Sequence, residues 1–436
     1  MTFNFRNGRK RVKMRSTCFH PPSVFLQPRC DAGGSSAKES SEPARRPRPP
    51  AHSHGQTSVI LMRHGMTNWN YIGRVQGGLD KSRLNTTGIL QARDAGRLLR
   101  NVAVDAIFCS PLTRAKDTLR HAVQSSENHL LCMRKPELLE SLKEIQVPWQ
   151  GLSRVEIGKS IFSKSYEQYA KNPPRFSYNG FSPLRDVVRR AEDVWETVGR
   201  SNGKCHLLVG HNQVNKALIC TALGLPTVLS AWRQGNCCFN VIMFEDGRPQ
   251  KLRLCNGGNP KLTERGHRLT KARQGCVRVV LHHKLGRSES LTAEVGEWEV
   301  AHFYVVGSSH ADYLRDVHRD FSEGKYSELA VPKTKESIFE FALSCLDEWR
   351  LQHEGEVIIV CVDDAITTRA FFAASIGMGA SGMDRLVSDA GGVSIFDIRA
   401  SGPVGTYTTY VESYNIGAMG RRDYLLGYTR SLREVC

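Results

Sequence analysis

The feature that most constrains this chain is a short apolar run that ends in an arginine and a histidine. Four residues, Val59 to Met62, run directly into Arg63 and His64, and Gly65 then lets the backbone turn tightly. Such a run predicts a buried strand, although its length and periodicity alone do not exclude a helix. Ligand sites of parallel α/β sheets lie at the carboxyl ends of strands, where this pair would sit. A guanidinium beside an imidazole suits an anion that must be both bound and attacked.

This segment resembles the first signature of the histidine phosphatase superfamily, the group that includes the phosphoglycerate mutases. That signature is Arg-His-Gly-x-Thr/Ser, then Asn, then Gly-Arg-x-Gln-Gly and Asp. Here it is present as residues 63–67, Asn70, residues 73–77 and Asp80. Because the match is long and ordered, it is far more specific than Arg-His-Gly alone.

A second signature of the superfamily, Ser-Pro-Leu-x-Arg-Ala-x-x-Thr, is present as residues 110–118. The preceding run, Ala106 to Cys109, predicts a strand. Ser110 and Pro111 predict the start of a helix, as its N-cap and its first residue. Arg114 would then lie in the first turns, where the positive helix end and a guanidinium can face the same anion.

Two further segments match the superfamily. His211 and Asn212 follow a predicted strand, Cys205 to Gly210, as its second histidine does. Glu144 stands where the superfamily has an acidic residue, within Leu-x-Glu-Ile, although Glu140 is a competing carboxylate.

The resemblance implies a role for each matched residue. His64 would be the nucleophile and would become a phosphohistidine. Arg63, Arg114 and His211 would surround the phosphoryl group as three protein cations, so no metal and no cofactor is expected. Glu144 would protonate the leaving group and then activate water. Besides the two arginines, the expected substrate-binding residues are Asn70, Gln76, Gly77 and Asn212.

The resemblance also implies the fold, which is α/β. Residues 57–265 are expected to form a three-layer αβα domain of the phosphoglycerate-mutase type that contains the catalytic residues. The run from Val277 to His283 is similar to the opening strand, and Asp363 follows a later strand where the first half has His211. We therefore predict that residues 272–430 form a degenerate, non-catalytic second copy of the same fold.

Charge is concentrated at the start of this 436-residue chain, whose formal net charge is +17. The first 30 residues contain seven Arg or Lys and no Asp or Glu. Residues 1–56 are predicted to be a disordered linker and chloroplast transit peptide, because they are rich in Arg and Ser and poor in acids. A plain basic tail on a cytoplasmic protein is the alternative.

Composition also limits which kinds of binding partner are expected. Neither a regular interleaving of aromatic residues nor a known nucleic-acid module accompanies the basic charge, so nucleic-acid binding is not expected. No apolar run approaches the length of a membrane span, so no membrane contact is expected. The thirteen cysteines form no Cys-x-x-Cys pair and fit a reducing compartment. Oligomeric state is not predicted.

The expected substrate is a small phosphorylated sugar or sugar acid. Mutases of the superfamily usually follow the acid with His-Tyr-Gly and have a basic insertion; both are missing here, which favours hydrolysis. Residues 141–145, 210–218, 235–237 and 256–260 resemble plant and algal chloroplast phosphatases of 2-carboxy-D-arabinitol 1-phosphate, a sugar-phosphate inhibitor of Rubisco. The alternatives are a broad sugar-phosphate phosphatase, a fructose-2,6-bisphosphatase-like enzyme, a phosphoglycerate mutase, and a regulatory scaffold that binds phosphorylated metabolites.

Overall fold

One mixed sheet of fourteen strands forms the centre of the described chain. The structure is a computed structural model, and it describes residues 4–7, 10–13, 57–201, 205–225, 229–257, 272–283, 298–307, 325–400 and 407–416. The strand order is β2-β1-β11-β10-β12-β9-β13-β14-β8-β7-β3-β6-β4-β5. The strands are β1 (Asn4–Asn7), β2 (Lys10–Lys13), β3 (Thr57–Arg63), β4 (Ala106–Cys109), β5 (Glu137–Leu138), β6 (Cys205–Gly210), β7 (Phe239–Glu245), β8 (Arg248–Gly257), β9 (Val277–His283), β10 (His302–Val306), β11 (Lys325–Leu329), β12 (Val357–Val362), β13 (Val393–Ala400) and β14 (Tyr407–Ile416).

The described helices of the first half cover both faces of this sheet, and two more described helices lie in the second half. They are α1 (Asn68–Tyr71), α2 (Thr86–Leu98), α3 (Thr113–Ser126), α4 (His129–Met133), α5 (Arg154–Gly158), α6 (Ser163–Lys171), α7 (Pro183–Gly199), α8 (Asn212–Leu223), α9 (Lys335–Gln352) and α10 (Ala365–Ser375). Alternate residues of β3 point to opposite faces. Ile60 and Met62 pack with α2 and α3, whereas Val59 and Leu61 pack with α7 and α8. The predicted three-layer αβα arrangement is confirmed for this half.

The register of the central strands determines where the site lies. β3 and β6 are parallel, and Arg63 pairs with Gly210. Both strands are buried along nearly their whole length, which explains their continuous apolar sequences. His64 and His211 therefore follow neighbouring strand ends at the same edge of the sheet.

The second half repeats the strand order of the first. In the first half β5, β4, β6 and β3 are parallel neighbours in that order, and β7 and β8 follow antiparallel. In the second half β11, β10, β12 and β9 are parallel neighbours, and β13 and β14 follow antiparallel. This agreement supports the prediction of a second copy, while its loss of catalytic activity remains a prediction.

The two halves share one sheet and one core. β8 pairs with β14 in antiparallel fashion through Cys255 and Tyr414, and Arg253 forms an ion pair with Asp389 at 3.0 Å across the same junction. Buried residues of α7 and α8 belong to one apolar cluster with those of α9 and α10.

The basic N-terminal segment is described only as the hairpin of β1 and β2, and β1 pairs with β11. The predicted disorder of residues 1–56 remains a prediction. The predicted transit peptide otherwise lies outside the described residues and remains a prediction. None of the described helices combines the length and the apolarity that a membrane span requires.

Candidate active site

His64 is buried directly after β3, and its tautomer follows from one contact. Its Nδ1 atom lies 2.7 Å from the carbonyl oxygen of Gly65. A carbonyl can only accept a hydrogen bond, so Nδ1 holds the proton and Nε2 presents a lone pair. Burial, together with Arg63 and Arg114, holds the pKa of His64 well below its ordinary value. The ring is therefore neutral near pH 7, as a nucleophile must be.

The backbone around His64 is held by close contacts with the neighbouring helices. The Gly65 N–H donates to Thr118 Oγ1 of α3 at 2.9 Å. Gly88 of α2 packs so closely that a Cβ on it would overlap the carbonyl oxygen of Met66. Glycine is therefore required at position 88 by the close approach of α2 to the loop after β3, and not by a left-handed backbone conformation.

Arg114 lies in the first turn of α3 and is fully buried. Its two terminal nitrogens donate to the carbonyl oxygens of Gly77 at 2.7 Å and Leu79 at 2.8 Å. Burial lowers the pKa of Arg114 to about 10, so the guanidinium stays charged near pH 7. Gly77 has a φ of +53°, in the left-handed region that favours glycine. Its turn thus aims a carbonyl at Arg114.

The predicted start of α3 is wrong. The helix begins at Thr113, and Leu112 is its N-cap without a side-chain bond. Asp80 takes the capping role from a distance in sequence, since its two oxygens accept from the backbone N–H and the hydroxyl of Thr113, each at 2.7 Å. Ser110 is thereby free for another contact, and its Oγ lies 2.8 Å from Nε2 of His211.

His211 is the second histidine of the site and faces the first. Its ring centroid lies 5.1 Å from that of His64, and the residue is the N-cap of α8. Burial, Arg114 and His64 hold its pKa well below the ordinary value. Burial, followed by the nearby charges, opposes protonation of His211 in the unliganded site, while its role as a third protein cation remains a prediction. Its Nδ1 atom is buried without a partner among the described residues.

Glu144, rather than Glu140, is the carboxylate of the site. Its Oε1 accepts from the backbone N–H of Ile145 at 3.0 Å and of Gln213 at 2.9 Å, which ties it to the first turn of α8. The residue is only 8% exposed. In contrast, the side chain of Glu140 is 76% exposed and pairs with Lys143.

Arg190 of α7 supports the segment before Glu144. One of its terminal nitrogens donates to the carbonyl oxygens of Ser141 at 2.9 Å and Lys143 at 2.6 Å. Asp186, one turn earlier, holds the same guanidinium at 2.8 Å. The backbone that carries the carboxylate is thus fixed by a charged side chain from another element.

The other predicted substrate-binding residues lie around this centre. Asn70 Oδ1 accepts from the backbone N–H of Thr67 at 3.2 Å, which leaves the amide nitrogen of Asn70 as a donor. Gln76 is buried, and its Oε1 accepts from the hydroxyl of Ser82 at 2.7 Å. Asn212 is the first residue of α8.

Sequence reasoning missed several residues that hold the site. They are Arg190, Gln213, Gln234 and Asn236, whereas Thr118 was part of the second signature but had no role assigned to it. Gln213 and Asn236 do fall within segments singled out for resemblance, but no local pattern indicates their contacts.

The remaining reactive side chains give no second centre in the described part of the chain. Burial raises the pKa of Cys238 to about 12 and also raises that of Cys237, so both thiols stay protonated and unreactive. No group of three or more His, Cys, Asp or Glu side chains suited to a metal occurs in the segments that the structure describes.

The part of the chain that contains this site is similar to known proteins. A family model described as Histidine phosphatase superfamily (branch 1) matches residues 59–257. Over 191 residues the chain is 47% identical to the uncharacterized phosphatase PhoE of Bacillus subtilis, covering 44% of this chain and 90% of that protein. The chain belongs to the histidine phosphatase superfamily.

Two further relatives of this chain have named substrates. It is 36% identical over 217 residues to a 2-carboxy-D-arabinitol-1-phosphatase of Triticum aestivum, which covers 49% of this chain and 42% of that protein. The chain thus spans about two fifths of that relative's length. It is 31% identical over 196 residues to the metal-independent phosphoserine phosphatase of Arabidopsis thaliana, which covers 44% of this chain and 77% of that protein.

Proposed function

We propose that this protein hydrolyses phosphomonoesters through a phosphohistidine at His64. The observation that supports this best is the state of the His64 ring. The ring is neutral, and its Nδ1 is hydrogen-bonded to the carbonyl oxygen of Gly65. Its Nε2 lone pair is available near the half-buried guanidinium of Arg63 and the buried one of Arg114. A phosphoryl group bound by Arg63 and Arg114 would present its phosphorus to that lone pair.

The proposed first step transfers the phosphoryl group to the histidine. Nε2 of His64 forms a bond to phosphorus while the bond from phosphorus to the ester oxygen breaks. Glu144 gives its proton to the departing alkoxide, so that an alcohol leaves. Arg63 and Arg114 stabilise the charge on the equatorial oxygens, which is the main contribution a protein makes to phosphoryl transfer.

The proposed second step releases phosphate. Glu144, now a carboxylate, takes a proton from water, and the oxygen of that water attacks phosphorus as the bond to Nε2 breaks. The hydroxyl of Ser110 lies 2.8 Å from Nε2 of His211; in the tautomer in which Nε2 accepts from it, the Nδ1–H of His211 would donate to a phosphoryl oxygen in both steps. His211 would thus act as a neutral donor, in agreement with the direction of its pKa shift.

The proposed substrate is a phosphorylated sugar or sugar acid, with 2-carboxy-D-arabinitol 1-phosphate or a related Rubisco inhibitor as the first candidate. Its support is the named activity of the wheat relative together with the resembling segments. Phosphoserine is the second candidate, because the Arabidopsis relative with that name is covered over most of its length. A plastid location belongs to the same proposal and rests on the Arg- and Ser-rich start.

The decisive experiment is a phosphatase screen of the full chain in excess EDTA, run beside His64→Ala. We expect phosphate release, a trapped acid-labile phosphohistidine in the wild type, and neither in His64→Ala. Release from the carboxyarabinitol phosphate but not from phosphoserine would support the first substrate.

Other outcomes of the same screen would overturn the proposal. Isomerised phosphoglycerates instead of free phosphate would identify a mutase. Tight binding of sugar phosphates without turnover, unchanged in His64→Ala, would identify a regulatory scaffold. A fluorescent fusion of the first 56 residues that stays outside plastids would contradict the location.

A further inference from the structure

The loop of residues 232–237, called the bridging loop here, lies between the two halves of the protein. Trp232 forms a parallel β-bridge with Val411 of β14, and the Arg233 N–H donates to the carbonyl oxygen of Val411 at 3.0 Å. The buried ring of Trp232 also lies 6.2 Å from that of Phe372 in α10. The loop belongs to the first half in sequence but packs on the second.

The opposite side of the bridging loop holds the catalytic pair. The carbonyl oxygen of Gln234 accepts from the Arg63 guanidinium. Asn236 Nδ2 donates to the carbonyl oxygen of His64 at 3.0 Å, and the Cys237 N–H donates to that of Arg63 at 3.1 Å. A shift of this loop would therefore move the side chain of Arg63 and the backbone of both residues.

Besides Val411, a second residue of β14, Glu412, holds the bridging loop. Glu412 accepts from the Arg233 guanidinium at 3.0 Å. Its carbonyl oxygen accepts from Asn256 Nδ2 at 2.6 Å, and Asn256 Oδ1 in turn accepts from the Gly235 N–H at 2.6 Å. Gly235 and Asn256, each of which belongs to a segment that stands out in the sequence, thus meet at this point.

Glu412 is itself anchored firmly. Its side chain is only 3% exposed, and Arg273 donates to it at 2.7 Å. Arg278 lies 3.6 Å from the same carboxylate and pairs with Asp397. A buried carboxylate that is held by several cations is costly to move, because any departure leaves unpaired charge in the interior.

We propose that the second half positions Arg63 for phosphate binding, through Glu412 and the bridging loop. Glu412 is a positioning residue, since it contacts the loop and not the site where phosphate would bind. The kinetic part of this proposal rests on the proposed phosphatase function. It gives the second half a purpose that requires no catalytic residues of its own.

The test compares three variants of the full chain. Glu412→Gln removes the charge that holds the loop, and Arg233→Met breaks the same contact from the loop side. Asp389→Asn is the matched control, because it removes an ion pair between β8 and the second half that does not touch the bridging loop. Two readouts are the affinity for orthovanadate and amide hydrogen exchange of residues 232–237.

We expect vanadate to bind about 10- to 100-fold more weakly to Glu412→Gln and Arg233→Met, the size of effect that small displacements in a site produce. Exchange at Gly235 and Cys237 should become faster in both variants. Asp389→Asn should leave both readouts within about twofold of wild type. In an Arg63→Met background, Glu412→Gln should cause no further loss of vanadate affinity, because its effect passes through Arg63.

Unchanged affinity and exchange in both loop variants would overturn the proposal, and so would an equal loss in Asp389→Asn. If Glu412→Gln does not fold, Arg233→Met decides alone, since its side chain is 40% exposed. If the wild type neither hydrolyses phosphomonoesters nor binds vanadate, the proposed function fails. The exchange comparison then still decides whether the second half holds the loop, because it needs no ligand.

Discussion

The Nδ1 atom of His64 lies 2.7 Å from the carbonyl oxygen of Gly65, and this contact determines which ring nitrogen can attack. The residue before it is an arginine, and Arg114 comes from another element, so two guanidiniums act on one buried ring. Burial and both charges favour the neutral form. The site thus keeps the attacking nitrogen of His64 unprotonated, although no carboxylate among the described residues is hydrogen-bonded to the ring.

The first prediction concerns the titration of His64. Its lowered pKa moves the acidic limb of kcat/KM to below pH 6.5, the ordinary value for histidine. NMR of ring-labelled protein should show the His64 signals in the neutral state down to that pH. A midpoint at or above pH 6.5 would contradict it.

The same shift affects stability, because the unfolded chain takes up the His64 proton near pH 6.5 while the folded chain does not. The contribution of His64 to the free energy of unfolding is therefore present above pH 6.5 and lost as the pH falls below it.

The second prediction separates Glu144 from Glu140. Glu144→Gln should lower kcat for an alkyl phosphate about 10²- to 10⁴-fold, the range for loss of a general acid. With p-nitrophenyl phosphate, whose leaving group needs no proton, the first step should survive. Rapid-mixing kinetics should then show a burst of p-nitrophenol before slow turnover. Glu140→Gln, exposed and paired only with Lys143, should be close to wild type. Equal losses in both variants would refute the assignment.

The third prediction concerns the support of Glu144 by Arg190. Arg190→Met removes the donors to the carbonyl oxygens of Ser141 and Lys143. We expect kcat for alkyl phosphates to fall about tenfold or more, because displacement of a catalytic group is costly. The loss should be smaller for p-nitrophenyl phosphate, as for Glu144→Gln. Arg189→Met is the control, since this neighbouring arginine is exposed and contacts only acids of its own helix. A loss that is the same for both substrates would show a general effect on folding instead.

The fourth prediction tests the close contact between α2 and the loop after β3. Gly88→Ala places a methyl group against the carbonyl oxygen of Met66. We expect the free energy of unfolding to fall by about 1–3 kcal/mol, the usual cost of an overpacked site, as measured by urea denaturation. Gly158→Ala is the control, because its Cβ would meet no atom within 4 Å. Equal stability of the two variants would show that the loop can move away from α2.

Short-range pattern was enough to predict three strands of the first half. The apolar runs at 106–109 and 205–210 became strands with those bounds, and the run from Val59 to Met62 lies within β3. The failure at α3 is instructive, because Ser110 and Pro111 have the local pattern of a helix start. Asp80, distant in sequence, offers its carboxylate to Thr113 instead, and Ser110 contacts His211. Tertiary contacts overrode a local preference.

Motifs and periodicity along the chain were enough to predict the superfamily, the residue types of the site and the positions of three strands. The free ring nitrogen of His64, the lowered pKa of His211, and the burial of Glu144 rather than Glu140 became evident only in the tertiary structure. It also showed that the second half reaches Arg63 through Glu412. The state of His211, the burial of Glu144 and the contacts of Glu412 depend on groups far apart in sequence, such as Ser110 and His211, and on burial, which no local pattern contains. The free nitrogen of His64 depends on how the backbone turns at the next residue, Gly65.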